Sequence, residues 1–216
     1  MKVEPKELCF SCHAMTADEL TKYEFIHEPA KGECVGCHDP HGAANAQMLK
    51  GESTKEICFS CHEEVKNATG TYKVAHKAVT EEDGCLKCHT PHASTVKNLL
   101  KHDPETLCLS CHDEAQKVSE GDIIPPFDEE IEGKKFLHGP VAERNCNSCH
   151  QAHGSDHFRL LTNDYPAKFY TSYTVDKYGL CFSCHPSALT ETERTVDLTE
   201  FRNGSLNLHY LHVNRD

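Results

Sequence analysis

Every cysteine of this 216-residue chain stands in a Cys-x-x-Cys pair, and a histidine follows each pair directly. In that motif the two thiols are placed to add across the vinyl groups of one haem, and the histidine then reaches the iron as its proximal ligand. The 14 cysteines form seven such motifs and leave no thiol over. They predict seven covalently bound haems of the c type, attached at Cys9, Cys12, Cys34, Cys37, Cys58, Cys61, Cys85, Cys88, Cys108, Cys111, Cys146, Cys149, Cys181 and Cys184, with the proximal ligands His13, His38, His62, His89, His112, His150 and His185.

Zinc is a weaker interpretation of the same cysteines. Structural zinc sites need tetrahedral sets of four ligands, and such sets give no reason for a histidine after every second cysteine. A disulfide framework, the other usual meaning of many cysteines in a short chain, leaves the histidines unexplained as well. The spacing therefore favours haem.

Ten of the 17 histidines lie outside the seven motifs, and six of these ten recur in a pattern. Three stand seven to nine residues before a motif, and three follow a motif in a short tail such as His38-Asp-Pro-His41-Gly. We predict that these six are distal iron ligands and that a C-terminal histidine serves the seventh haem: His27, His41, His76, His92, His138, His153 and His209, with His212 as the alternative to His209. His102 and His157 fall outside the pattern and are predicted to be solvated surface residues.

Chain length restricts which haem each histidine can reach. Imidazoles on opposite faces of one iron hold their Cα atoms roughly 12 Å apart, given metal–nitrogen bonds of about 2 Å, whereas three residues extend to at most ~11 Å. His41 therefore cannot share a haem with His38, and we expect it to serve the first motif of its repeat, on His13. His27 would then serve the haem on His38, and the other repeats would follow the same scheme.

The motifs are arranged in internal repeats. Four segments open alike, with Cys-Phe-Ser-Cys-His or Cys-Leu-Ser-Cys-His, at intervals of 49, 50 and 73 residues. A second motif with a histidine tail follows three of these openings but not the fourth. The chain therefore divides into dihaem repeats at 1–56, 57–106 and 107–179, the third lengthened by an acidic and a tyrosine-rich surface loop, and a monohaem half repeat at 180–216, all within one continuous multihaem domain.

The elements that position these motifs are expected to be small. Apolar residues make up 38% of the chain and tryptophan is absent, so a polypeptide core would be thin. Each haem has roughly 31 residues to cover it, too few to enclose a macrocycle separately, so the haems must cover one another. The predicted fold class is mostly irregular, with short α-helices at the motifs, few or no strands, and stacked haems as the core.

Charge and hydropathy exclude several classes of function. The formal net charge is −12 with neutral histidines, and haem propionates add to it, so nucleic acid and anionic membrane surfaces are poor partners. No run approaches the ~18 apolar residues of a membrane-spanning helix. No signal peptide precedes the first motif, yet covalent haem attachment is an export-side reaction. We therefore expect a periplasmic or extracellular protein whose targeting segment has been removed.

In their paired motifs and histidine tails, the repeats resemble the multihaem cytochromes with doubled CxxCH motifs, over nearly the whole chain. The resemblance implies a periplasmic or extracellular electron carrier, and some members of that group polymerise into conductive filaments. Two features depart from the pattern: Ala152 replaces the proline of the other tails, and the last repeat lacks its second motif.

The leading hypothesis is non-enzymatic electron transfer through seven bis-histidine haems, with redox proteins or further copies of the chain as partners. The chain could polymerise or form part of a longer cytochrome. The alternative is a multihaem reductase of small nitrogen compounds, which requires one five-coordinate haem. That alternative is less favoured, because all seven proximal positions are histidine and candidate distal histidines are in surplus.

Overall fold

The computed structural model describes residues 4–118, 123–168 and 171–214. Within these ranges the α-helices have nine residues at most, and isolated helices of that length are marginal in water. Their bounds are α1 Pro5–Phe10, α2 Ala14–Lys22, α3 Cys34–Cys37, α4 Thr54–Phe59, α5 Glu63–Thr71, α6 Lys77–Thr80, α7 Gly84–Cys88, α8 Pro104–His112, α9 Phe127–Ile131, α10 Gly139–Ala142, α11 Gly179–Phe182, α12 Ala188–Glu191 and α13 Leu208–Val213. Turns of 3₁₀ helix lie at Glu28–Lys31, Ala46–Met48, Lys97–Leu99, Cys146–Ser148, Phe158–Leu160 and Asp176–Tyr178.

The strands of the described chain are two residues long and pair only in twos, all antiparallel. They are β1 Phe25–Ile26 with β3 Ala93–Ser94, β2 Val74–Ala75 with β6 Gly154–Ser155, β4 Gln116–Lys117 with β5 Ile123–Ile124, and β7 Arg202–Asn203 with β8 Leu206–Asn207. The predicted fold class, irregular with short helices and few strands, is confirmed.

The helices of the opening motifs begin and end in recurring ways. The side chains of Ser53 and Asp103 cap α4 and α8 by accepting hydrogen bonds from backbone amides, at 3.2 and 3.0 Å. At the other end, the serine between the two cysteines donates to the carbonyl three residues earlier, at 2.7–2.8 Å. This bond ties the serine to the preceding turn of the chain. It is made by Ser11, Ser60, Ser110 and Ser183.

The second motifs occupy single turns, namely α3, α7 and the 3₁₀ turn Cys146–Ser148. The histidine then leaves the turn in an extended conformation, as His38 and His89 show. Each of these histidines bridges in antiparallel fashion to the leucine of the apolar pair that follows the tail. The chain therefore closes a loop on each second motif, through His38–Leu49, His89–Leu100 and His150–Leu161.

The described chain forms two compact units, Met1–Ala68 with Lys77–Cys146, and Thr69–His76 with Asn147–Asp216. These bounds differ from those of the four predicted repeats. In the first unit Arg144 joins the acidic insertion to α8, through ion pairs with Asp128 at 2.7 Å and Glu105 at 3.2 Å. Residues 121–122 of that insertion and Tyr170 of the tyrosine-rich one lie outside the described ranges.

In the second unit a buried asparagine holds the C-terminal helix in place. Asn207 is fully buried, and its Nδ2 donates to the carbonyls of Leu189 and Thr192 at 2.8 and 2.7 Å. Its Oδ1 accepts a hydrogen bond from the His209 amide at 3.0 Å and so caps α13. One side chain therefore fixes the helix that carries both C-terminal histidines.

The polypeptide has almost no apolar core of its own. Among the described residues, Ala93 and Leu161 are the buried apolar ones. The chain exposes 15711 Å², against roughly 10,000 Å² for a compact protein of 24.2 kDa. No helix within the described ranges combines the length and the apolar character needed to cross a membrane. Burial of side chains by other side chains cannot be the main source of stability here.

Replacing Asn207 by Ala should destabilise the second unit by about 2–4 kcal/mol, because two carbonyls lose the donor that a fully buried side chain supplies and α13 loses its cap. The exposed Asn203 is the matched control, and Asn203→Ala should change stability by less than about 0.5 kcal/mol. Urea unfolding of the haem-loaded protein, followed by circular dichroism, measures both. Equal midpoints for the two variants would contradict the role assigned to Asn207.

Candidate haem-binding sites

Cysteines of successive motifs lie close together. In the first unit a hydrogen bond between the Cys58 and Cys85 thiols, together with burial, raises the pKa of Cys58. The same bond lowers the pKa of Cys85 to about 6. Thioethers do not titrate, so only the proximity carries over to a haem-loaded protein. The sulfurs of the third and fourth motifs are neighbours.

The same proximity links the remaining motifs. Burial raises the pKa of several thiols, to about 11 for Cys108, and in each case a cysteine of the adjacent motif raises it further. Every neighbouring pair lies within one of the two compact units. In the first unit these pairs are Cys9–Cys34, Cys37–Cys58, Cys58–Cys85, Cys88–Cys111 and Cys108–Cys146, and in the second unit the pair is Cys149–Cys181.

The proximal histidines of the second motifs are oriented by backbone carbonyls nine residues later. Nδ1 donates a hydrogen bond to that carbonyl and leaves Nε2 for the iron, which is the usual arrangement of a metal-bound imidazole. The bonds are His38–Gln47 at 2.8 Å, His89–Asn98 at 2.9 Å and His150–Arg159 at 3.0 Å.

These carbonyls belong to a left-handed turn of two residues that recurs in all three dihaem repeats. Both residues of each turn have φ between 53° and 60°, although none is glycine: Gln47 and Met48, Asn98 and Leu99, Arg159 and Leu160. Such conformations cost of order 1–3 kcal/mol per residue and persist where the surroundings fix them. Backbone bonds between motif and turn do so here, for example from the Lys50 amide to the Cys37 carbonyl at 2.9 Å. The turn, in this strained conformation, presents the carbonyl that orients the proximal imidazole.

Two pairs of imidazoles face each other in the first unit. The ring centres of His27 and His62 are 6.0 Å apart with planes at 18°, and those of His38 and His92 are 6.1 Å apart with planes at 37°. Burial, followed by the proximity of His38, lowers the pKa of His92. We expected His27 opposite His38, and His92 opposite His62, because chain reach alone allows those pairs. The structure instead places the His27 ring opposite His62 and the His38 ring opposite His92, and the assignment of each distal ligand to a haem stays a prediction.

The C-terminal histidines differ in their surroundings. Burial lowers the pKa of His209, and the neighbouring His185 and His212 lower it further. His209 is therefore close to the proximal histidine of the seventh motif. His212 is exposed, and its Nδ1 donates to the Leu208 carbonyl at 2.6 Å. This contrast agrees with the preference for His209 as a ligand, which stays a prediction.

The other predicted histidines are placed as follows. His41 is 96% exposed beside Asp39, so its assignment to the haem on His13 stays a prediction that the structure does not support. His76 adjoins β2 and His153 adjoins β6, so the pairing of those strands holds the two segments side by side in the second unit. His138 precedes α10, His102 is exposed, and His157 is paired with Asp164 at 3.0 Å.

The described residues fit covalent haem better than a metal ion. No group of three or more His, Cys, Asp or Glu side chains in the described ranges could hold a metal ion. The thiols instead stand in pairs beside a single imidazole, which is the donor set that a c-type haem takes. Two buried guanidinium nitrogens, Arg144 Nη1 and Arg202 Nε, lack a hydrogen-bond partner within the described chain. A haem propionate is the kind of acceptor that they require.

Sequence reasoning missed two contributors to these sites. One is the left-handed turn, whose only signal was the apolar pair Met48-Leu49 and its equivalents. The other is Arg144, which lies two residues before the sixth motif with φ 51° and carries one of the unpartnered nitrogens. A lone arginine in a loop gives no recognisable signal in one sequence.

Two substitutions at Arg159 separate the backbone turn from its side chain. Glycine accepts φ near 53°, so Arg159→Gly should leave the ligation of the haem on His150 unchanged. Proline fixes φ near −65°, so Arg159→Pro should turn the carbonyl away from His150 Nδ1 and raise the reduction potential of one haem, since the imidazole becomes a poorer donor. Redox titration with electron paramagnetic resonance measures both. An unchanged proline variant would contradict the role of the turn.

Comparison with known proteins agrees with these sites. Three segments, residues 27–67, 76–117 and 138–190, match the family described as the doubled CXXCH motif, and together they cover more than half of the chain. No curated protein matches the chain. Each matched segment begins at a predicted distal histidine and joins the second motif of one repeat to the opening motif of the next, half a repeat out of phase with the predicted repeats. The chain belongs to the doubled CXXCH motif family, and its motifs are those of a multihaem c-type cytochrome that transfers electrons.

Proposed function

We propose that this chain is a non-enzymatic electron conduit of seven c-type haems. The observation that carries the proposal is the succession of neighbouring cysteines, in which each motif lies beside the next. The cysteines bind at the haem periphery, so neighbouring sulfurs imply neighbouring porphyrin edges. Electron tunnelling falls steeply with distance between edges, and a succession of close edges is what conduction requires.

The residues around each site favour electron transfer over catalysis. A bound haem supplies a one-electron couple, and two imidazoles per iron leave no position for a substrate. The protein holds the proximal rings of the three second motifs, His38, His89 and His150, by hydrogen bonds from Nδ1 to backbone carbonyls, which limits rearrangement when the charge of the iron changes. A reductase of nitrogen compounds needs one five-coordinate haem. Because the predicted distal histidines are in surplus, this function is the less favoured one.

Charge restricts the partners. The polypeptide carries −12, and each ferric haem with two ionised propionates adds about −1, so the oxidised protein would carry roughly −19. A redox partner with a basic docking surface would be attracted and steered by this field. Further copies of the chain would repel one another at low salt unless specific contacts formed. We place the protein in the periplasm or outside the cell, where covalently bound haem is assembled.

Mass spectrometry and a redox titration test the conduit directly. The intact protein should carry seven haems, and replacing Cys181 and Cys184 by Ser should leave six. The potentials should spread into a broad low-potential wave, because bis-histidine haems in different surroundings titrate separately. A single narrow transition at high potential would contradict the proposal. Carbon monoxide binding with turnover of nitrite or hydroxylamine would favour the reductase instead.

The seventh haem gives a separate prediction. His209→Ala should convert one haem to high spin, because this partly buried ring lies close to His185. His212→Ala is the matched control and should leave the spectrum low-spin, since that ring is exposed. Electron paramagnetic resonance of the oxidised isolated chain counts the high-spin irons. If only His212→Ala produced a high-spin haem, His212 would be the ligand instead of His209. If neither variant produced one, the distal ligand of the seventh haem would lie elsewhere in the chain.

A further inference from the structure

We propose that the first two repeats exchange their distal ligands: His27 binds the iron of the haem on His62, and His92 binds the iron of the haem on His38. The inference rests on the proposed function, because it assumes haems with two imidazoles. It goes further by naming which histidine serves which haem. Each repeat would complete a haem site of the other.

The distances between the rings carry this assignment. Two imidazoles on opposite faces of one iron, each with a metal–nitrogen bond of about 2 Å, hold their ring centres roughly 6 Å apart. The two observed separations are 6.0 Å for His27–His62 and 6.1 Å for His38–His92. Both pairs consist of one histidine from a motif and one from the predicted distal set.

Hydrogen bonds leave the correct nitrogens for iron. His27 Nδ1 donates to the Pro91 carbonyl at 2.9 Å, and His38 Nδ1 donates to the Gln47 carbonyl at 2.8 Å. In both rings Nε2 is then the nitrogen with a lone pair to offer. Because the carbonyl that binds His27 lies directly before His92, the two distal ligands are positioned by one short segment.

A small strand pair fixes that segment. In β1 and β3, Phe25 lies opposite Ser94 and Ile26 opposite Ala93, and the His27 amide donates to the His92 carbonyl at 2.9 Å. Ala93 and Ser94 are among the few buried residues of the chain, at 3% and 4% exposure. Backbone bonding therefore joins the two distal histidines rigidly, although they lie 65 residues apart in different repeats.

The family match is compatible with this connection. The first matched segment, residues 27–67, begins at His27 and includes both His38 and His62. The segment therefore fits either pairing of His27, and the second segment, residues 76–117, contains His92 but not His38. The ring separations, not the family match, carry the exchange.

Removing one haem at a time tests the exchange in the full chain. His27→Ala should convert one haem to high spin. In a background with Cys58→Ser and Cys61→Ser, which removes the haem on His62, the same substitution should add no high-spin iron. In a background with Cys34→Ser and Cys37→Ser, which removes the haem on His38, it should still add one. His92→Ala should show the opposite dependence on the two backgrounds.

The outcomes separate the exchange from the proposed function. The contrary result is that His27→Ala adds no high-spin iron in the background that lacks the haem on His38, yet adds one in the background that lacks the haem on His62. That result would mean that His27 binds the haem of its own repeat, and it would overturn the exchange but not the proposed function. A wild-type protein without low-spin bis-histidine haem would overturn the proposed function. Should His27→Ala fold poorly, His27→Met keeps a ligand and raises the potential of one haem. That shift should vanish only in the background lacking the haem on His62.

Discussion

The structure depends on one constraint: a chain with two buried apolar residues in its described part must be held together by something other than side-chain packing. Covalently bound haem at the CXXCH motifs provides it. Each motif fixes a haem at its two cysteines, and the proposed histidine ligands would in addition cross-link separate segments of the chain. The helices have nine residues or fewer and the strands have two, so they are too short to be stable alone. Burial of the apolar haem surface would stabilise them in place of a side-chain core.

The same constraint explains why the backbone tolerates strain beside the iron. Six non-glycine residues occupy the left-handed turns, and each of these residues costs of order 1–3 kcal/mol. The total is large compared with the free energy of unfolding of a typical domain. The turns present carbonyls to proximal imidazoles and so fix the ring orientation and tautomer. If the proposed distal histidines bind iron, their bonds exist only in the folded chain and would stabilise it against this strain.

Sequence predicted the motifs, the fold class and the set of candidate ligands, because those depend on local spacing. It could not predict which distal histidine meets which haem. The ten residues between His27 and His38 are ample for a shared iron, so chain reach permits that pairing, whereas the structure places the two rings opposite other histidines. The decisive contact, between β1 and β3, joins segments 65 residues apart, and two-residue strands carry no periodic signal. The left-handed turns were missed for a related reason: five of their six positions hold Gln, Met, Arg or Leu, which do not mark positive φ, and Asn98 alone is too weak a signal.

Exchange of ligands between repeats bears on how a conduit is kept continuous. If every haem were completed within its own repeat, neighbouring repeats could separate without loss of any iron ligand, and the distance between porphyrin edges would rest on weak packing. With His27 and His92 exchanged, separating the first two repeats requires breaking iron–nitrogen bonds at both haems. The step between the haems on His38 and His62 is then held at a fixed distance by coordination. A chain without a side-chain core can in this way maintain the close spacing that electron tunnelling demands.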